Sequence, residues 1–206
     1  MYTPPAFRED DPDRLRGLIR QARLSTLVTA TQDGIMATPL PLILDETEGE
    51  HGVLYGHLAR ANAQWSTPAI GEAMVIFNGP DAYVTPSWYQ AKREHGKVVP
   101  TWNYVAVHAY GVAQFFDDEA RLHAAVTRLT RLYEEPRPEP WAVTDAPETF
   151  IKAQLKGIVG LRLVISRMEG KVKMSQNRSE ADRRNVADGL AASSLAGDLA
   201  AAKLIP

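Results

Sequence analysis

The chain has 206 residues, 45% of them hydrophobic and 23% charged; this excludes wholesale disorder and allows one ordinary domain, or one with an appended arm. A formal charge of −2 argues against a protein that coats nucleic acid by charge alone. The absence of cysteine excludes disulfides, thiolate zinc sites, iron–sulfur clusters and a cysteine nucleophile. No apolar run approaches the ~20 residues that span a bilayer. Met1-Tyr2-Thr3-Pro4-Pro5 lacks a basic-then-apolar signal pattern. The reading is a soluble, cytoplasmic protein that makes no membrane contact.

Asp11 and Pro12 predict a helix start, with Leu15, Leu18, Ile19 and Ala22 on one stripe. Leu24 to Ala30 is β-rich, Asp33-Gly34 signals a tight turn, and Ile35 to Leu44 resumes the β pattern. Pro39 and Pro41 cannot donate ladder hydrogen bonds, so that strand should lie at an edge or expose its backbone on one side. Val53 to Leu58 reads as a strand, and Ala59 to Trp65 as a turn into helix. Ala73 to Phe77 and Ala82 to Thr85 read as a hairpin about Asn78-Gly79-Pro80-Asp81. Gln90 to Lys97 is polar. Tyr104 to Phe116 is a long β segment with Gly111 as a bulge.

Asp117 or Asp118 then caps a helix with a stripe of Leu122, Ala125, Val126, Leu129, Leu132 and Tyr133. Pro136, Pro138 and Pro140 form a stiff linker. Thr149 to Lys156 is a shorter helix, and Ile158 to Met174 is β-like around Glu169-Gly170. Ser179 opens a last helix, with Asp182 where a capping box usually has Glu or Gln. The strands do not alternate regularly with helices, which disfavours a doubly wound sheet. The economical fold is mainly β: a mostly antiparallel barrel with peripheral helices. It occupies residues 1–190, followed by an Ala-rich tail at 191–206.

The densest polar cluster is Tyr55-Gly56-His57-Leu58-Ala59-Arg60-Ala61-Asn62-Ala63-Gln64-Trp65. A strand end that enters a helix presents backbone N–H groups to an anion, and Arg60 adds a charged fork. The cluster is a candidate phosphate grip but not a Walker loop; the competing reading is a capped surface helix with a solvated arginine. Trp102 and Tyr104 suit a ligand wall or a subunit interface as well as ordinary core. His51, His57, His95, His108 and His123 show no helical metal-ligand spacing, and no metal site is expected. From Arg162 to Arg184 there are seven basic and three acidic residues, which fits an anion-facing strand end, a nucleic-acid patch or a solvated face. No acid–base set stands out.

Taken together and in order, several segments resemble the PaiB family of FMN-binding negative transcriptional regulators. They are Met1-Tyr2-Thr3-Pro4, Gly56-His57-Leu58-Ala59-Arg60-Ala61-Asn62, Gly79-Pro80-Asp81-Ala82-Tyr83-Val84, Pro86-Ser87-Trp88-Tyr89, Val99-Pro100-Thr101-Trp102-Asn103-Tyr104 with His108, and Ser175-Gln176-Asn177-Arg178. The resemblance implies the FMN-binding split barrel, FMN as cofactor, and a homodimer with flavin at the subunit interface. It implies that Arg60 grips the phosphate, with Asn62, Gln64 and Trp65 close behind, His57 and Leu58 just before, and Thr38, Pro39 and Leu40 beside the ring. Trp102, Tyr104, Gln176 and Asn177 are the implied contribution of the partner subunit. Related oxidases carry Ser-Arg-Lys where this chain has Ala59-Arg60-Ala61, one cation fewer. A DNA or regulatory-protein partner follows from the family's name. A flavin-dependent oxidoreductase using NAD(P)H is the alternative, and haem binding through His57 and His108 a third.

Overall fold

The computed structural model describes residues 1–206. In chain order the strands and helices are β1 (Arg8–Glu9), α1 (Pro12–Gln21), β2 (Ser25–Thr31), β3 (Gly34–Leu40), β4 (Ile43–Asp45), β5 (Val53–Ala59), β6 (Ala73–Val84), α2 (Gln90–Glu94), β7 (Thr101–Gly111), β8 (Ala113–Phe116), α3 (Glu119–Glu134), α4 (Glu148–Leu155), β9 (Ile158–Val164), β10 (Arg167–Lys173), α5 (Glu180–Ala191) and α6 (Ala196–Ala202). The helix starts follow local chemistry. Asp11 Oδ1 accepts from the Asp13 amide at 2.9 Å, and Asp118 Oδ1 accepts from Arg121 at 2.8 Å. No helix is long and apolar enough to cross a membrane.

The chain divides into two compact units. The first comprises Met1–Leu15, Asn78–Val107 and Glu169–Pro206; the second comprises Arg16–Phe77 and His108–Met168. In the second unit, β3, β2 and β6 are neighbours in that order, and another sheet runs β4-β5-β9-β8. The β2–β3, β2–β6, β4–β5, β5–β9 and β8–β9 ladders are antiparallel, as expected. Leu27, Val75, Leu54, Leu161 and Leu163 are fully buried there, and α3 packs on β5 and β9. In the first unit, the order is β1-β10-β7-β6, with α5 and α6 packed on each other. Val84, Tyr89, Met174, Val186 and Leu190 are buried in its core. The Ala-rich tail therefore contains α6, whose Ala201 is fully buried.

β3 is an edge strand, as Pro39 requires. Its register, Thr31 opposite Gly34, leaves Gln32-Asp33 as the two-residue loop. The strand expected over Ile35 to Leu44 instead breaks at Pro41-Leu42, and β4 joins the other sheet.

Other expectations are corrected by close approaches that local patterns do not encode. The hairpin about Asn78-Gly79-Pro80-Asp81 does not form; the segment is one continuous strand, β6. A Cβ on Gly79 would sit 2.8 Å from Val105 Cβ, so the glycine admits β7 rather than making a turn. Gly111 likewise marks a break between β7 and β8: a Cβ there would lie 2.1 Å from the Val164 carbonyl oxygen. Glu169-Gly170 lies inside β10, and the break falls at Ile165-Ser166, between β9 and β10, which belong to different sheets.

Candidate functional site

Ala59 to Trp65 does not become a helix. Only a single 3-10 turn, Ala63–Trp65, forms. Asn62 Oδ1 caps it by accepting from the Gln64 amide at 2.9 Å, and Pro68 follows at once, restricting Thr67. The expected helix N-terminus is therefore absent, and any anion grip rests on side chains.

Those side chains are organised by Gln64, which is only 1% exposed. Its Nε2 faces three acceptors: Leu27 O at 3.2 Å, Thr29 Oγ1 at 3.0 Å and Met36 O at 3.3 Å. Its Oε1 accepts from Thr38 Oγ1 at 2.5 Å, and Thr38 in turn accepts from Asn62 Nδ2 at 2.8 Å. The turn is thereby fixed to the outer strand β3 at Thr38 and to β2 beneath it. Gln64 itself has no surface to offer a ligand; it holds the half-exposed Thr38 and Asn62 in place.

Arg60 leaves the end of β5 beside this turn. Its Nε donates to Lys156 O at 2.9 Å and its Nη2 to Ile158 O at 3.2 Å, so two donors orient the guanidinium on the chain that leaves α4. Its Nη1 is 3.6 Å from Asp117 Oδ2, a loose pair with a well-exposed carboxylate. Trp65 Nε1 donates to Arg60 O at 2.8 Å, and the Trp65 ring centre is 5.9 Å from the guanidinium carbon. Arg60 thus has both a helix-terminus role and N–H donors left over from its five.

The remaining residues of the second unit are placed differently. Pro39 is exposed on the edge strand, whereas the side chains of Leu40 and Leu58 are core. His57 shares a face of β5 with Tyr55, whose ring lies under Arg128 of α3. Its Nδ1 is buried without a hydrogen-bond partner, and burial holds its pKa below the usual value of 6.5. The unfolded chain therefore takes up a proton near pH 6.5 that the folded protein excludes. Stability rises with pH wherever the unfolded state binds more protons, so this contribution is lost as pH falls through that range. Urea midpoints at pH 7.5 and 5.5 should fall further apart for wild type than for His57→Leu. Equal pH dependence in both would contradict this account of His57.

In the first unit, Trp102 is 53% exposed and meets Tyr83 edge-on, with ring centres 5.9 Å apart. Tyr104 lies under Lys171 and Lys173. Gln176 is occupied by its own loop: Oε1 accepts from the Met174 amide at 2.7 Å, and Nε2 donates to Val172 O. Asn177 is exposed. The loop is pinned by Ser175, which adopts φ +62° and exchanges hydrogen bonds with fully buried Asn103 at 3.1 and 3.2 Å. Asn103 and Ser175 both stand inside the motifs that carry the family resemblance, and their side chains bond each other. Ser179 caps α5 as expected, its Oγ accepting from the Asp182 amide at 3.2 Å, but the buried Asp182 carboxylate accepts from the Gln90 amide at 2.7 Å rather than closing the box.

The basic run from Arg162 to Arg184 is not one solvated face. Arg162 bonds Glu48, Tyr55 and Gln114, and Arg184 pairs with Glu180. Arg167 stacks on Tyr110, and Lys171 is buried. No group of three or more His, Cys, Asp or Glu residues is placed to hold a metal.

The antiparallel sheets are those of the split-barrel fold. The flavocytochrome Anf3 of Azotobacter vinelandii shares it at a TM-score of 0.60 and 14% identity, covering 86% of this chain and 75% of that one. The FAD and heme binding protein of Mycobacterium smegmatis matches at a TM-score of 0.54 and 16% identity, covering 88% and 80%. The chain belongs to the family described as "Putative FMN-binding domain", which it matches over residues 1–167. It is also 35% identical to protease synthase and sporulation protein PAI 2 of Bacillus subtilis, over 92% of this chain and 89% of that protein. The PaiB resemblance therefore holds, and with it FMN as the family's cofactor.

The residues present fit that cofactor. A dianionic phosphate needs a cation with free donors, which Arg60 supplies together with the second amide hydrogen of Asn62. The polar rim of a planar ring needs backbone groups, which the unpaired side of β3 supplies around Thr38 and Pro39.

Proposed function

We propose that the chain acts in the cytoplasm as a homodimer that holds FMN at the Arg60 turn and serves a regulatory role through a protein partner. The observation that carries this reading is the Gln64 network, which locks Arg60's neighbours to the free edge of β3. Bound there, the flavin would supply redox chemistry. Arg60, Asn62, Trp65 and Thr38 would bind and orient it as hydrogen-bonding and stacking groups. That suits holding a cofactor; because hydride transfer to a flavin needs no protein acid or base, regulation is favoured over an NAD(P)H-linked oxidoreductase on the family resemblance. The name of the Bacillus relative, which speaks of protease synthesis and sporulation, points the same way.

Dimerisation is supported by an apolar sheet face in the second unit. Ile35, Ala37 and Pro39 of β3 lie opposite Ala30, Val28 and Thr26 of β2, which in turn face Met74 and Ile76 of β6. Ile35 is 77% exposed and its neighbours are only partly covered. A contiguous face of this kind calls for a cover, and a second copy is the occupant implied by the split-barrel family. The dispersal of the Arg162 to Arg184 cations favours a protein partner over direct DNA contact.

The role is tested in the host cell. Arg60→Ala at the chromosomal locus should change the same transcripts, in the same direction, as deletion of the gene. Wild-type transcript levels from a variant that has lost its FMN would overturn the regulatory reading.

A further inference from the structure

Lys171 and Lys173 stand two apart on β10 and so share one face of the strand. Lys171 is 7% exposed. Its Nζ donates to Tyr2 O at 3.0 Å and lies 5.5 Å from the Tyr2 ring centre and 5.1 Å from that of Tyr104. Lys173 Nζ donates to Thr101 Oγ1 at 2.5 Å and Trp102 O at 2.7 Å, and lies 6.0 Å from the same Tyr104 ring. Neither ammonium has a carboxylate partner. Glu169, the one acid of β10, pairs with the Met1 amine, and Arg8 adds a further cation directly opposite Lys171. A buried charge is costly unless it is paired, yet here two cations converge on one aromatic ring.

We propose that Lys171, Lys173 and Tyr104 form an anion-binding site that takes the phosphate or carboxylate of an aromatic ligand. Both lysines have N–H donors that no protein acceptor uses: two on Lys171 and one on Lys173. The aromatic part is argued from the neighbouring wall, where Trp102 exposes its ring against Tyr83. Burial, together with the charges of Lys171 and Arg178, lowers the pKa of Lys173; a bound anion reverses both charge effects. The site stands on the first unit alone and does not rest on the Arg60 reading.

The ligand is either the flavin's own phosphate or a second small molecule, and phenyl phosphate titrated calorimetrically into FMN-saturated protein separates the two. Saturable binding that Lys173→Met weakens by about tenfold or more, and that Arg60→Ala leaves unchanged, establishes the site with a separate ligand. If phenyl phosphate binds only to flavin-free protein, and Lys173→Met weakens FMN by a similar factor, the site is established with the flavin as its ligand. Lys173→Arg should restore binding in either case, because it keeps the charge. Removing a cation from this like-charged pair should leave the melting temperature at or above wild type. Phenyl phosphate and FMN affinities that both stay within about twofold in folded Lys173→Met and Lys171→Met would overturn the proposal.

Discussion

Replacing Arg60 by alanine should weaken FMN binding by about 1.5–3 kcal/mol, or roughly 10- to 150-fold, the range for hydrogen bonds to a charged group. The same change removes donors from Lys156 O and Ile158 O, so a modest loss of stability accompanies it. Two comparisons separate these roles. Arg60→Lys keeps the charge but loses the fork that spans both carbonyls, and should fall between wild type and alanine in FMN affinity. Asp117→Asn removes the carboxylate 3.6 Å from Nη1 and should tighten FMN binding slightly without affecting the carbonyl contacts. Fluorescence quenching of FMN gives the affinities, and urea melts of the flavin-free protein give the stabilities. FMN affinity unchanged in Arg60→Ala would mean that the arginine only tethers the chain leaving α4.

Gln64→Leu should cost more in stability. The leucine fits the volume but leaves Leu27 O and the Thr29 hydroxyl without their partner in a buried place, and Met36 O and the Thr38 hydroxyl without theirs at its partly exposed edge. Each orphaned group costs about 1–3 kcal/mol, and water relieves some of them, so a net loss of about 3–5 kcal/mol is expected. For a chain of this size that corresponds to a fall of roughly 10 °C in Tm. FMN binding should fall with it, because Asn62 and Thr38 lose their support although neither has been altered. A Tm within about 2 °C of wild type would mean that the network does not fix the turn.

Features of the sequence that act over a few residues were legible. Asp11 and Asp118 cap the helices they were expected to cap, because an N-cap bond spans only two or three residues. Pro39 marked an edge strand because a missing donor is a property of the residue itself. Features that depend on a distant neighbour were not legible. Asn78-Gly79-Pro80-Asp81 reads as a turn until Val105 is brought against Gly79, and then only glycine fits in a straight strand. Pro41 was read as part of one strand, but it ends β3 and lets the chain change sheets.

The site follows the same division. Arg60, Asn62, Trp65 and Thr38 were named through the resemblance to a family, and the structure brings them around one turn. Gln64 was named beside them, but its buried position depends on carbonyls 28 and 37 residues away, which no local pattern reveals. His57 stood in the same motif, yet strand alternation puts it on the face that α3 covers. Lys171 and Lys173 looked like part of a diffuse basic run; only their lack of acidic partners in the fold distinguishes them from Arg162 and Arg184.

The most direct test of the central claim is a titration of FMN into flavin-free wild-type protein, followed by fluorescence and by the visible spectrum of the dialysed complex. The account predicts saturable quenching at one FMN per chain and retention of oxidised-flavin absorbance after dialysis; in Arg60→Ala, saturation should need roughly 10- to 150-fold more FMN and the flavin should be lost on dialysis. Linear, unsaturable quenching with a colourless protein after dialysis would contradict it.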